Sequence, residues 1–397
     1  MSEYVSVMQP ANRADVRASD IRNTSLAATI RDLRLVILFS LTAIAWVVFH
    51  FATGGYVLTA RNLSILSVQM SVTAIVAIGM TLLLIAKEID LSAGAAMALI
   101  IVVIFQLQVE MGASTLVTIC AALALGAAIG VLHGLVRVWL TIPSFIITLA
   151  GVSWIRGVAF LIPDAQTLSG LSNSFHMLAN SQLPPIISGA LVVTIGLVLV
   201  SNCITKMRAK QSKLAISRTV ERLQFALVIL LSLGSLWVFT SYRGLPYPTL
   251  FLIVLTFVFH WVTRGTDFGR YVYAIGGNAE AAKRVGINVN LITVLLFVIM
   301  GLLTAIAAIV QGSLLDAAPP GIGDLLALNA ISAAIIGGTN LFGGQGSMVG
   351  TVAGAALMAS IANGLSLLGV NSFTQMVATG AVLLFAVGID ALTAKKR

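Results

Sequence analysis

The chain has very little charge. Only 9% of its 397 residues are Asp, Glu, Lys or Arg, while 58% are hydrophobic; soluble domains run at about 25% charged and about 45–50% apolar. So few charges cannot solvate a protein of this length in water, and a soluble fold is excluded. Cysteine is scarcer still. Cys120 and Cys203 are the only two, both in or beside apolar runs, which leaves no disulfide framework and no cysteine-built metal site. His50, His133, His176 and His260 lie on separate elements with no carboxylate or cysteine at ligand spacing. That scatter argues against a metal site and against a histidine-based hydrolase. Lysine is missing between Arg284 and Lys395, so the glycine-rich stretch GGTNLFGGQGSMVG at 337–350 lacks the lysine of a phosphate loop and the strand that would precede one. No catalytic residue, cofactor or nucleic-acid partner follows from this sequence. The net charge of +9 sits in loops.

What the sequence does have is long apolar runs. A helix needs about 20 such residues to cross a bilayer. Candidate spans fall near 33–51, 63–86, 91–108, 113–139, 144–162, 184–203, 222–241, 247–263, 289–311, 325–338, 346–367 and 373–392. The fold class is therefore all-α, a polytopic helical membrane protein with about 10–12 transmembrane helices, some discontinuous. Residues 1–34 read as a cytosolic tail and 35–397 as the membrane domain. The apolar run from Leu35 is too long for a signal-peptide core, so the first helix is expected to start translocation itself.

Lys and Arg mark the cytoplasmic loops. With the Arg-rich N-terminus inside, the basic loop 204–222 and the loop 264–288 also fall inside. The C-terminal Lys395, Lys396 and Arg397 return to that side. The loop 163–183 has no Lys or Arg, and 312–324 carries only Asp316 and Asp324; both face outward.

Two apolar stretches are interrupted, by AKEIDLSAG at 86–94 and by the glycine-rich 337–350. Paired broken helices mark a translocation site, because they expose backbone groups to a substrate. IDLSAGAAMAL and QGSMVGTVAGAAL share small residues and a serine, which suggests an internal repeat. Charges inside apolar sequence are expensive and are functional candidates by default. Glu88, Asp90, Ser92, Asn340, Gly343, Gly344, Gly346 and Asn363 are accordingly the substrate-path candidates. The charges and glycines of these stretches also have plainer readings. Lys87 snorkels to the interface, Asp90 caps the following helix, and Arg156 pairs with a carbonyl or an acid. The spacing Gly346/Gly350/Gly354 fits close helix packing.

The cytosolic stretch NAEAAKRVGI reads as a short helix, with Asn278 as N-cap and Gly286 as stop. Such a helix either lies flat on the surface or docks into a partner's groove.

The stretch 264–288 resembles the cytoplasmic coupling loop of ABC-importer permeases. With IDLSAG, IPSFIITLAGVSWIRG, GRYVYAIGGNAEAAKRVGIN, IIGGTNLFGGQGSMVGT and NGLSLLGV, the chain from about Arg61 to about Asp390 resembles the monosaccharide permeases for ribose, galactose, arabinose and xylose. The insertion at 204–222, SYRGLP at 241–246 and the triplet Glu88–Asp90 resemble the xylose type; Lys87 departs from the small residue usual there. The resemblance implies a non-enzymatic permease subunit of the bacterial inner membrane, with both termini cytoplasmic. It implies a homodimer on a cytosolic ATP-binding subunit, fed with monosaccharide by an extracytoplasmic sugar-binding protein. Gly277, Asn278, Glu280, Ala281, Ala282, Arg284 and Gly286 would couple to the ATPase. Two rival readings stay open. One is a proton- or sodium-coupled carrier that uses Glu88, Asp90 and Asp390 as relays; the other is a membrane-embedded enzyme.

Overall fold

The computed structural model describes residues 13–209, 215–319 and 321–394. The first half holds α1 (Arg13–Ala52), α2 (Ala60–Ile85), α3 (Ala93–Phe105, continued by a π-helical turn to Glu110), α4 (Thr115–Leu140) and α5 (Ser144–Leu161). The short α6 (Asn173–Asn180) follows, then α7 (Pro185–Ala209), α8 (Ala215–Ser241) and α9 (Tyr247–Gly265). After two small helices, α10 (Asp267–Gly277) and α11 (Ala279–Arg284), come α12 (Val289–Leu315), α13 (Leu326–Ile336), α14 (Met348–Leu367) and α15 (Ser372–Ala394). Among the described residues ten helices are long and apolar enough to cross a membrane, and α13 is a shorter apolar helix. The chain is an all-α polytopic membrane protein.

Local chemistry sets the boundaries. Thr59, Ser114 and Ser347 each accept a backbone N–H from the first turn of α2, α4 and α14, which satisfies donors the helix itself cannot. Some boundaries differ from the sequence reading. α1 begins at Arg13, so most of the expected tail is continuous with the first span; residues 1–12 lie outside the described residues. α7 and α8 extend far into the basic loop, whose residues 210–214 are likewise outside them, as are Lys395, Lys396 and Arg397. The loop 163–183 contains α6 and the pair Leu168–Ser169, which runs antiparallel to Ala317–Ala318.

The core is a column around α2. In its most apolar stretch 78% of the residues are buried, against 11% in α1 and α8. α2 packs on α12, α13 and α14, and α12 packs closely on α4.

Two helices, α3 and the shorter α13, start after unwound segments. Between α2 and α3, residues 86–92 are non-helical, and between α12 and α13 so are most of 316–325. The starts of α3 and α13 meet: Gly94 and Gly323 touch backbone to backbone, where any Cβ would clash. α3 packs on α12 and α13 on α2, so each short helix lies against the long helix of the other half. The 345–357 stretch, whose small residues suggested a repeat of 89–99, starts α14. The glycines of that stretch have a packing role. Gly350 and Gly354 bring α14 against the backbone of Gly337 and Ala333 at the end of α13, the close approach that small-residue spacing permits.

Candidate functional site

The unwound backbone ahead of α3 must find hydrogen-bond partners within the protein, because lipid offers none. α5 supplies them. Ser144 Oγ accepts from Ile89 N at 2.9 Å, and Thr148 Oγ1 accepts from Leu91 N at 3.1 Å and donates to the Ile89 carbonyl at 3.3 Å. Further along the same helix, Arg156 serves the second break: it donates to the Ile322 carbonyl at 3.0 Å and pairs with Asp324. One helix thus holds both discontinuities.

The carboxylates of the first break are both engaged. Glu88, 6% exposed, takes a forked contact from Arg137, with Nε at 3.1 Å from each oxygen and Nη2 at 3.0 Å. Asp90 Oδ1 accepts from Ser92 N at 2.8 Å and from Ser92 Oγ at 2.6 Å, just ahead of α3, where a carboxylate also suits the helix dipole. Ser92 Oγ lies 3.4 Å from His133 Nδ1.

The second group of expected site residues forms a junction with the first. Asn340 Oδ1 accepts from Phe342 N and so shapes the turn after α13. Gly343 (φ +84) packs on Lys87, and Gly344 (φ +74) donates its N–H to the Ile85 carbonyl at 2.8 Å. Left-handed φ values of this kind suit glycine. Gly346 packs on Ile85, and its carbonyl accepts from Tyr273 Oη on α10 at 2.9 Å. Lys87 Nζ donates to the Gly277 carbonyl at 3.2 Å, and Gly276 is pressed against Ile85 and Gly344. Residues 85–90, the turn 337–347 and the end of α10 therefore meet on one face.

On that face the short helix α11 forms where its cap and stop placed it. Asn278 Oδ1 accepts from Ala281 N at 3.0 Å, and Gly286 ends the segment with φ +89. The preceding helix α10, with Thr266 as its cap, was not anticipated. Within α11 only Ala282 is buried. Glu280 and Arg284 face outward beside a cavity of about 450 Å³ that reaches Val289 and Asn290, and Val285 is 78% exposed.

Asn363 lies apart from the junction, towards the opposite end of α14. It exchanges hydrogen bonds with Asn62, accepting at 3.0 Å and donating at 3.3 Å. It also borders a second cavity, of about 320 Å³, between four helices. α2 contributes Gln69 and Thr73, α13 contributes Asn329, α14 adds Ser366, and α15 adds Gln375 and Thr379. The rest of the wall is Ala355, Met358, Ala359 and Ala362. Of this set sequence reasoning named only Asn363, although a lone amide inside an apolar run, such as Gln69 or Asn329, is a visible signal. Among the described residues no three His, Cys, Asp or Glu side chains are grouped to hold a metal ion.

Residues 62–387 match the family model described as branched-chain amino acid transport system / permease component. The xylose transport system permease protein XylH of Haemophilus influenzae is 38% identical over 369 residues, 92% of this chain and 98% of that protein. XylH of Escherichia coli K12 is 35% identical over 394 residues, 98% of this chain and all (100%) of that protein. The ribose import permease protein RbsC of the same strain is 32% identical over 332 residues, 84% of this chain and 86% of that protein. No solved structure matches the chain. With a match over most of its length, and near-full-length permease relatives, this chain belongs to the branched-chain amino acid transport system / permease component family, as a membrane transport permease and not an enzyme.

Proposed function

We propose that this chain is the membrane-spanning subunit of an ATP-driven monosaccharide importer, with D-xylose as its sugar. Its termini lie in the cytoplasm, a sugar-binding protein delivers the substrate from outside, and two copies stand on a cytosolic ATP-binding subunit. The observation that carries the reading is the junction. α10 and α11 lie exposed on one face, and α10 is joined through Tyr273 and Gly276 to the turn before α14 and to the end of α2. A push on α11 therefore reaches both discontinuous segments together, the arrangement a rigid coupling of ATP hydrolysis to gating requires. The near-full-length likeness to two xylose permeases supports the choice of sugar.

The ion-coupled alternative rests on free carboxylates in the bundle interior. Glu88 is bound to Arg137 and Asp90 to Ser92, which counts against them as relays; the Asp390 side chain lies outside the described residues. Proteoliposomes holding this chain with its ATP-binding subunit test the proposal. Xylose-loaded binding protein added outside is expected to raise ATP hydrolysis several-fold over sugar-free binding protein. An ATPase rate indifferent to both would count against it.

A further inference from the structure

We propose that the cavity between α2, α13, α14 and α15 is where a neutral polyhydroxylated ligand, a monosaccharide or a sugar alcohol of its size, rests while it crosses the membrane. Asn329 provides the acceptor that fixes it. This rests on the importer reading above and extends it by naming a place and its contacts.

The lining sets the chemical class. Four carboxamides, on Gln69, Asn329, Asn363 and Gln375, face the space, and among the described residues no charged side chain lines it. A carboxamide offers two N–H donors and an oxygen with two lone pairs, which complements a hydroxyl that both donates and accepts. An ion would enter without a counter-charge, an expensive arrangement inside a bilayer. At about 320 Å³ the cavity lies at the small end of ligand sites, which span about 300–1,000 Å³.

The amides are not equally committed. Asn363 is held by Asn62, and Gln375 Nε2 donates to the Val370 carbonyl at 2.8 Å. Asn329 Oδ1 is buried and accepts no hydrogen bond. A buried acceptor without a donor is a standing cost, and a ligand hydroxyl removes it.

Position links the cavity to the moving parts. Asn329 sits on the first turn of α13, next to the place where the starts of α3 and α13 meet. The other end of α13 leads into the turn that α10 grips. A ligand held by Asn329 thus touches the helix that the coupling segment moves. The far wall, with Asn363, Ser366 and Gln375, lies towards the face opposite α10, the side from which sugar would be delivered.

The test uses the full transporter in cells and ATP-dependent uptake of labelled xylose. Membrane level and co-purification of the ATP-binding subunit are measured alongside. Asn329→Leu is expected to lower uptake at least ten-fold, and Asn329→Gln to restore a substantial part of it. Should the leucine variant misfold, Ser366→Cys in a Cys120→Ser, Cys203→Ser background decides. Its reaction with a small thiol reagent should be slowed by high xylose or xylitol and unaffected by xylonate, the sugar acid. Wild-type uptake by a well-assembled Asn329→Leu transporter, or labelling indifferent to neutral sugar, would overturn the site. The importer reading fails separately, if the unmutated chain shows no ATP-dependent uptake of any sugar.

Discussion

Tyr273 on α10 donates its hydroxyl to the Gly346 carbonyl, 2.9 Å away. That bond ties α10 to the turn between α13 and α14. Tyr273→Phe keeps the ring and removes the bond. One hydrogen bond is worth about 1 kcal/mol net, roughly five-fold in an equilibrium. Uptake should fall by that order while the ATP-binding subunit still co-purifies; unchanged uptake would mean that the bond transmits nothing.

Thr148 partners backbone at two points in the unwound segment, Ile89 and Leu91. Thr148→Val keeps the shape and deletes the hydroxyl, leaving a buried N–H without a partner. The penalty for such a group is about 1–3 kcal/mol. A fluorescence melt of the purified protein in detergent should show a transition several degrees lower. A melt matching the parent would show that α5 does not support the break.

Much of this was readable from the chain. Each full span announces itself as an apolar run, and α11 announces itself by Asn278 and Gly286, because cap and stop are local chemistry. The break at 86–92 was visible as polar punctuation, whereas the one ahead of α13 reads as a loop in the sequence. The glycines at 337–350 form the turn between α13 and α14. The partners were not visible. Glu88 finds Arg137, and Arg156 finds Asp324, only through tertiary packing, which carries no local signal. For the same reason the packing of 345–357 against the end of α13 was not legible, although its glycines fit a tight contact. The polar cavity was hidden too, since its amides sit singly on four helices.

The pairing of Glu88 with Arg137 lends itself to a double-mutant cycle. Arg137→Met alone strands a carboxylate that is 6% exposed and should destabilise by about 2–3 kcal/mol, below the fully buried case because Arg137 is 29% exposed. Glu88→Gln with Arg137→Met should recover about half of that loss. Additive effects would show that the pair is not coupled.

Two glycines of the junction should behave differently on conversion to alanine. A Cβ at Gly276 runs into the Ile85 carbonyl and the Gly344 amide, both backbone, so Gly276→Ala should abolish uptake or assembly. At Gly344 there is room, with the nearest atom 3.6 Å from the Cβ position, but φ is +74°. Gly344→Ala should therefore cost about 1–2 kcal/mol and leave measurable transport. Uptake assays with membrane-level controls distinguish the two, and equal phenotypes would contradict this geometry.

Reversing both charges on α11, Glu280→Lys with Arg284→Glu, should weaken co-purification of the ATP-binding subunit at least ten-fold with little change in the permease melt, because both side chains are exposed. Intact co-purification together with intact uptake would remove α11 from the docking surface.

The most direct test of the central claim is uptake of labelled D-xylose, competed with ribose, arabinose and galactose. It is made in cells expressing this chain with and without its ATP-binding subunit and binding protein. Uptake that needs all three components and cellular ATP, and that xylose competes best, is the predicted result. Uptake by this chain alone, lost when an uncoupler collapses the ion gradient while ATP remains, would contradict it.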